Sequence, residues 1–213
     1  MSFIYSQESY TELTKFLTHE RLTAYLIATR GDDRLAISLY ERNTRMSEHL
    51  YGVLQACEVA LRNSIHLNLS IGFGRTDWYD CIKFGHRELL MIGEAKLNVQ
   101  KFKAKVTPGQ IVAVLTMGFW NRLLAPEYEK SLWVPHLHKA FPHYRKPDRV
   151  LIFARLEDIR RLRNRVAHHE PIFKKDQMRE YAKVLEAIGW ICPSTAAWVD
   201  SISMFPRFVK SFD

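Results

Sequence analysis

Two adjacent histidines close a segment whose residue types suit acid–base chemistry on a phosphate. His168 and His169 follow Arg163 and Asn164 within seven residues, in the stretch RNRVAHH. The helical period of this region predicts that both imidazoles lie in the last turn of a helix, where the helix dipole favours the protonated ring and so the role of general acid. Arginine stays charged, and its planar fork matches two oxygens of a phosphate. We therefore take these four residues as candidate catalytic groups.

These residue types suit the cleavage of RNA without a metal. The 2′-hydroxyl must lose a proton, the 5′-oxygen must gain one, and the pentacoordinate phosphorane needs cationic stabilisation. A histidine performs either proton transfer near neutral pH, and an arginine stabilises the phosphorane. Three further arginines of the same segment, Arg160, Arg161 and Arg165, would hold the RNA backbone through its phosphates. The expected chemistry uses no metal and no cofactor.

Spacing alone does not separate this site from a chance arrangement of common residues. Arginine and histidine recur five to seven residues apart elsewhere in the chain, and Arg42-Asn43 before His49 is one such decoy. In the alternative interpretation, Arg163 is the buried partner of an acid and His168 is an ordinary solvated helix end. The spacing leaves both interpretations open.

A second polar row lies on a longer predicted helix upstream. Glu58, Arg62 and His66 recur every fourth residue, so they share one stripe beside the apolar face. In one interpretation this is a solvated row of ion pairs, each contributing roughly 0.3–0.5 kcal/mol. In the other, Glu58 pairs with Arg163 and holds its guanidinium toward the substrate, with Arg62 in support.

The elements that must position these side chains follow a helical period along nearly the whole chain. Apolar residues recur at steps of three and four from Leu50 to Ile65 and again from Ile152 to Val166, which predicts two buried stripes. Asp32 is a suitable N-cap for the longer of these helices. The helices that we predict span residues 8–18, 20–29, 32–70, 86–105, 107 onward, 127–141, 148–170 and 175–189, with a short one in the tail that Pro206 interrupts.

Composition favours a folded protein with a basic surface. The chain has 213 residues, of which 47% are hydrophobic, and its 31 Lys and Arg against 23 Asp and Glu give a formal charge of +8. This balance excludes intrinsic disorder and only weakly favours a nucleic-acid partner. We predict one all-α domain over 1–213, with an N-terminal helical extension over 1–31 and a core over 32–213.

Cysteine usage and hydropathy indicate a cytoplasmic protein. The three cysteines are widely spaced and form no CxxC pair, which favours a reducing compartment and gives no reason to expect a metal site. The N-terminus lacks the basic and then apolar order of a signal peptide, and no stretch approaches the length of a membrane span.

Three segments, EVALRNSIH, GFWNRLL and LRNRVAHHEPIF, together resemble the Abi-like proteins of bacterial abortive infection. The resemblance covers the chain from about Leu35 to Phe208 and includes the tail with Trp190 and Trp198. It implies a C-terminal region like a HEPN domain, which is an all-α bundle. In that family an arginine, followed by a polar residue and several positions later by a histidine, forms the catalytic pair of a metal-independent endoribonuclease.

Carried over residue by residue, the resemblance assigns catalysis to Arg163 and His168, with Asn164 as the polar residue and His169 as a competing histidine. On a straight helix Arg163 and His168 lie about 140° apart. Either the helix unwinds before Pro171, or the site is assembled from two copies of the chain. The resemblance implies the second arrangement, a homodimer whose motifs face each other across a two-fold axis.

The resemblance also implies a partner and a biological role. RNA is the expected substrate, and the expected role is a toxin-type effector of phage defence, held quiet by an antitoxin or another regulator. The second hypothesis is a non-catalytic HEPN module that binds RNA or a protein. The third is the inert member of a toxin–antitoxin pair, controlled by modification near the motif.

Overall fold

The computed structural model describes residues 5–102 and 105–211, and in this part of the chain the regular elements are all helical. This confirms the predicted all-α class. Short 3-10 and π turns occupy Trp78–Asp80, Pro126–Tyr128, Glu129–Trp133 and Leu137–Ala140. The α-helices are α1 (Gln7–Leu17), α2 (His19–Ala28), α3 (Asp33–Phe73), α4 (His86–Gln100), α5 (Pro108–Val114), α6 (Met117–Arg122), α7 (Arg149–Ala167), α8 (Gln177–Ile191), α9 (Pro193–Ile202) and α10 (Phe205–Lys210).

The longest helix, α3, begins where the sequence predicts. The Asp32 carboxylate accepts the N–H of Leu35 at 2.9 Å, which satisfies one of the free amides of the first turn. The helix continues for 41 residues. The next predicted helix also begins at the expected residue, but α4 ends at Gln100, and residues 103–104 of the predicted span lie outside the described part.

Two helix predictions are corrected, and both corrections depend on proline. The predicted helix over 127–141 is instead a series of short turns, because Pro135 has no N–H to donate and its ring blocks the preceding turn. In the tail, Pro206 does not interrupt a helix. It lies in the first turn of α10, where a missing N–H has no cost.

The described chain divides into two compact units. The first contains residues 5–52, 162–180 and 203–211, and the second contains 53–102, 105–161 and 181–202. Residues 5–31 are part of the first unit, where Leu22 and Tyr25 share a buried cluster with Ala36 and Ile37. The predicted extension is therefore packed on the start of α3, although its residues 1–4 lie outside the described part. The prediction of a single domain stays a prediction.

Both predicted apolar stripes are buried. In α3 and in α7, every residue of the stripe is at most 5% exposed. The second unit is also closed by an aromatic cluster in which the Trp78 ring lies 6.1 Å from the ring of Trp120. Within the described residues, no helix combines the length and the apolarity that crossing a bilayer requires. The buried stripe residues are Leu50, Leu54, Cys57, Leu61 and Ile65 in α3, and Ile152, Leu156, Ile159, Leu162 and Val166 in α7.

In the second unit, α3 makes a close approach at Gly72. A Cβ atom placed there would overlap the imidazole of His136, a ring that also contacts Phe73 at 5.0 Å between centroids. The same atom placed at Gly52 would meet nothing within 4 Å. The two glycines therefore form a matched pair within one helix.

We expect Gly72→Ala to lower the free energy of unfolding by about 1–3 kcal/mol, because the imidazole of His136 must move out of a packed position. Gly52→Ala should raise it by about 0.5–1 kcal/mol, the ordinary gain of alanine over glycine in a helix. Urea unfolding followed by circular dichroism measures both variants. Equal stabilisation by the two substitutions would contradict the close approach.

Candidate functional site

The predicted motif lies at the C-terminal end of α7, in the first unit. The N–H of His168 still donates to the carbonyl of Asn164 at 2.8 Å, as in a regular helix. The chain then closes with a Schellman turn, in which Glu170 N–H donates to Arg165 O at 2.7 Å and His169 N–H donates to Val166 O at 3.1 Å. The helix is thus intact from the motif arginine to the first histidine.

The turn places His169 in a left-handed conformation, with φ at 57°. Glycine usually occupies this position of a Schellman turn, because a Cβ atom makes the conformation costly. The sequence therefore has a histidine at a position whose backbone conformation favours glycine. The imidazoles of His168 and His169 are both exposed.

A buried amide of α3 holds this turn in place. Asn43 is only 3% exposed, and its Oδ1 accepts the N–H of Ile172 at 2.7 Å. Its Nδ2 lies 3.5 Å from the carbonyl of Glu170, at the outer limit of a hydrogen bond. A buried side-chain amide without partners is costly, so these contacts fix the segment after the histidines on α3. In the sequence, the same asparagine belongs to the decoy Arg42-Asn43 before His49.

One of the predicted RNA-binding arginines also holds the turn. Arg165 Nη2 donates to the carbonyl of Pro171 at 2.7 Å, and its Nε lies 3.4 Å from the carboxylate of Glu170. Its guanidinium is therefore engaged with the chain just beyond the helix. The role predicted for Arg165 in binding RNA stays a prediction, and it would require these contacts to exchange for phosphate oxygens.

The structure brings the four candidate catalytic residues to one helix end but not to one helix face. Arg163 and Asn164 are half-buried. Because the helix does not unwind between Arg163 and His168, these two side chains remain about 140° apart around its axis. The expectation that the helix unwinds before Pro171 is therefore wrong for the segment that joins them.

The other two predicted RNA-binding arginines share an acidic partner in the second unit. Arg160 donates to both carboxylate oxygens of Glu157 at 2.7 and 2.8 Å, and Arg161 donates to one of them at 3.2 Å. Buried Asn121 adds a third donor at 3.0 Å. Hydrogen bonds from Arg160 and then its charge, together with hydrogen bonds from Arg161 and Asn121, lower the pKa of Glu157 to about 2. Arg161 is the more accessible of the two, with 68% of its side chain exposed.

The polar row on α3 clamps neighbouring chain segments within the second unit. Glu58 accepts the first N–H of α6 at 2.9 Å, where its negative charge also complements the helix dipole. Arg62 lies 3.4 Å from the carbonyl of Ala113, and His66 accepts the indole N–H of Trp78 at 2.9 Å. A purely solvated row is therefore wrong for these three side chains. The ion pair predicted between Glu58 and the motif arginine stays a prediction.

A cleft of about 280 Å³ opens beside the second histidine of the motif, entirely within the first unit. One wall is a face of α3, and the other is formed by Val166 and His169 at the end of α7. This cleft is not among the sites predicted from the sequence. The available signal was the polar Asn43, seven residues before Leu50 and so on the inner face of α3, where an apolar residue is expected. The wall residues from α3 are Tyr40, Asn43, Thr44, Ser47, Glu48 and Tyr51.

No family model, no curated protein and no solved structure matches this chain. The resemblance to Abi-like and HEPN proteins therefore stays a prediction. The chemistry of the site rests on its own residues and their geometry.

We expect the left-handed conformation at His169 to be measurable as strain. His169→Gly should be about 1 kcal/mol more stable than His169→Ala, because glycine adopts this conformation without a steric cost. At His168, where φ is negative, the order should reverse and alanine should be the more stable replacement. Urea unfolding of the four variants tests this, and the same order at both positions would contradict the Schellman turn.

We expect Glu157 to contribute stability that depends on pH. Its pKa is lower in the folded protein than in the unfolded chain, so its contribution is complete above pH 4.5 and is lost as the pH falls from about 4.5 toward 2. Glu157→Gln should lower the free energy of unfolding by about 1–3 kcal/mol at pH 7. The difference from wild type should shrink over that acidic range.

Denaturant unfolding at several pH values measures this difference. Glu94→Gln is the matched control, because Glu94 is exposed on α4 and makes no hydrogen bond or ion pair within the described residues. Its stability should track that of wild type at every pH. A Glu157→Gln deficit that is constant from pH 7 to pH 2 would show that the charge of Glu157 is not stabilising.

Proposed function

We propose that this chain is a HEPN-type endoribonuclease that cleaves RNA without a metal. The observation that supports it most is the end of α7, where His168 and His169 are adjacent and exposed. Hydrogen bonds of Asn43 and Arg165 to the chain just after the histidines hold this turn. Two imidazoles on a rigid support are the groups that a coupled proton transfer requires. In keeping with the resemblance, the biological role would be a toxin-type effector of phage defence.

The proposed reaction is an internal transesterification. One imidazole accepts the proton of the ribose 2′-hydroxyl as the 2′-oxygen forms a bond to phosphorus. The bond from phosphorus to the 5′-oxygen breaks, and a second, protonated imidazole donates a proton to that leaving oxygen. Arg163 would stabilise the negative charge of the phosphorane. The products are a 2′,3′-cyclic phosphate and a free 5′-hydroxyl.

The separation of Arg163 from His168 favours a composite site. Within one chain an intact helix keeps these side chains on different faces, so a single copy does not direct both at one phosphate. We therefore propose a homodimer in which the arginine of one copy and the histidine of a second copy act on the same phosphate. Such a two-fold contact presents two equivalent sites to the substrate.

A specific observation favours the second candidate, a non-catalytic module that binds RNA or a protein. The three arginines expected to hold RNA are engaged with acids of their own chain, Arg160 and Arg161 with Glu157 and Arg165 with Glu170. A phosphate has to displace these carboxylates before any of the three arginines can bind it bidentately. Binding and cleavage must therefore be measured separately.

We expect purified protein to cleave labelled single-stranded RNA in the presence of EDTA. His168→Ala and His169→Ala should each lower the rate at least about a hundredfold, because one imidazole acts as the base and the other as the acid. RNA with a 2′-deoxy group at the cleaved position should be inert, because the attacking oxygen is missing. His143→Ala, which removes an exposed imidazole outside the motif, should leave the rate unchanged.

Contrary outcomes point to the other candidates. Binding of RNA without cleavage supports the non-catalytic module. Cleavage that requires a divalent ion, or that survives loss of both histidines, rejects the proposed mechanism.

Mixed dimers of wild-type and His168→Ala chains test the composite site, because additive activity from independent subunits would contradict it.

A further inference from the structure

We propose that the cleft beside His169 is a nucleobase-binding site with a preference for guanine. This inference rests on the proposed function where it concerns RNA, because a base bound there would place its own ribose beside the imidazole of His169. Four features of the cleft support the proposal: the geometry of α3, side chains without partners in the described chain, exposed aromatic surface and charge.

The wall contributed by α3 is one continuous helix face. Ser47 lies seven residues after Tyr40 and Tyr51 lies eleven after it, so all three side chains are within about 40° of one another around the helix axis. Asn43 completes this face and at the same time fixes the turn that carries His169. The two walls of the cleft are therefore connected by a buried hydrogen bond.

Polar groups of this cleft lack partners in the folded chain. Ser47 Oγ is buried and has no hydrogen-bond partner within the described residues. The carboxylate of Glu48 and the imidazole of His169 also make no hydrogen bond or ion pair with any residue that the structure describes. Two turns earlier on α3, Glu41 pairs with Arg45 at 2.8 Å. A buried hydroxyl without a partner is costly, so a ligand that completes it would be bound favourably.

Tyrosine rings supply surface for stacking. Tyr51 is 57% exposed, so one face of its ring is available to a ligand. Tyr40 is held edge-on against Tyr25, with 5.2 Å between ring centroids. Unpaired bases of RNA stack on such exposed aromatic side chains. The cleft thus combines an aromatic surface with groups that form hydrogen bonds.

Charge selects the part of the nucleotide that the cleft accepts. The carboxylate of Glu48 repels a phosphate but accepts hydrogen bonds from N–H groups. Guanine presents two adjacent donors, N1–H and N2–H₂, that match the two oxygens of a carboxylate, whereas cytosine presents a single amino group beside an acceptor. Ser47 Oγ either donates or accepts, so it complements the remaining edge of the base.

The binding test uses guanosine 3′-monophosphate and cytidine 3′-monophosphate, titrated into the full chain by calorimetry. Guanosine 3′-monophosphate should bind about tenfold more tightly, the discrimination expected of one bidentate pair. Glu48→Gln should remove most of that difference, and Tyr51→Ala should weaken both ligands. Ser47→Ala should weaken binding without lowering the unfolding temperature, which a purely structural role would not predict.

Glu41→Gln is the matched control, because Glu41 is a carboxylate of the same helix that pairs with Arg45 outside the cleft. Its binding of both nucleotides should equal that of wild type. Equal affinity of the wild-type chain for the two nucleotides, or no binding of either, would overturn the proposed site.

The cleavage test separates this site from the proposed function. A labelled RNA with a single guanosine among other nucleotides should be cut beside that guanosine, and Glu48→Gln should spread the cuts over the other positions. Cleavage without base preference and without nucleotide binding would leave the ribonuclease proposal standing and reject the guanine site. Binding of guanosine 3′-monophosphate without RNA cleavage would support the guanine site and reject the ribonuclease proposal. Cleavage that ignores the guanosine, despite nucleotide binding, would assign the cleft to a free guanine nucleotide and overturn its role in RNA recognition.

Discussion

The buried amide of Asn43 determines where the motif helix ends and how the chain leaves it. An amide in an apolar interior must have its donors and its acceptor satisfied, and here the partners are the N–H of Ile172 and, at longer range, the carbonyl of Glu170. These groups lie just after the histidines, so the amide fixes the path of the chain at the end of α7. Removal of the amide would leave the backbone groups of this turn buried without partners. The left-handed residue, the orientation of both imidazoles and the shape of the cleft all depend on that path.

The arginines near the motif show how little a formal net charge says about a surface. A charge of +8 suggests a basic surface available to a polyanion. Yet Arg160 and Arg161 share the carboxylate of Glu157, and Arg165 is engaged with the chain just beyond its own helix. Their attraction for phosphate is reduced by these contacts, because bound RNA must compete with an acid that is already aligned. Of these three arginines, Arg161 alone keeps most of its side chain exposed.

The spacing of apolar residues predicted the helices well, because the residues that recur at steps of three and four are the ones whose burial stabilises each helix. The stripe from Leu50 to Ile65, the cap at Asp32 and the helix before the histidines are local patterns, and the structure confirms each of them. The contact between Asn43 and Ile172 spans 129 residues, and no local pattern encodes it. The predicted helix over 127–141 is broken into turns, because Pro135 lacks an N–H donor and its ring blocks the preceding turn. The cleft is likewise encoded by no local pattern, because its two walls come from distant parts of the chain.

The conformation of His169 distinguishes the two histidines of the motif. Histidine is tolerated in the left-handed region more often than most side chains, but glycine would close the same Schellman turn with less strain. A strained side chain persists where the surrounding structure imposes it, and such positions concentrate at functional sites. His168 continues the helix and faces solvent, whereas His169 borders the cleft that holds an unsatisfied hydroxyl and an unpaired carboxylate within the described chain. The backbone geometry therefore favours His169 as the imidazole nearest to a bound substrate, although the spacing of the motif alone pointed to His168.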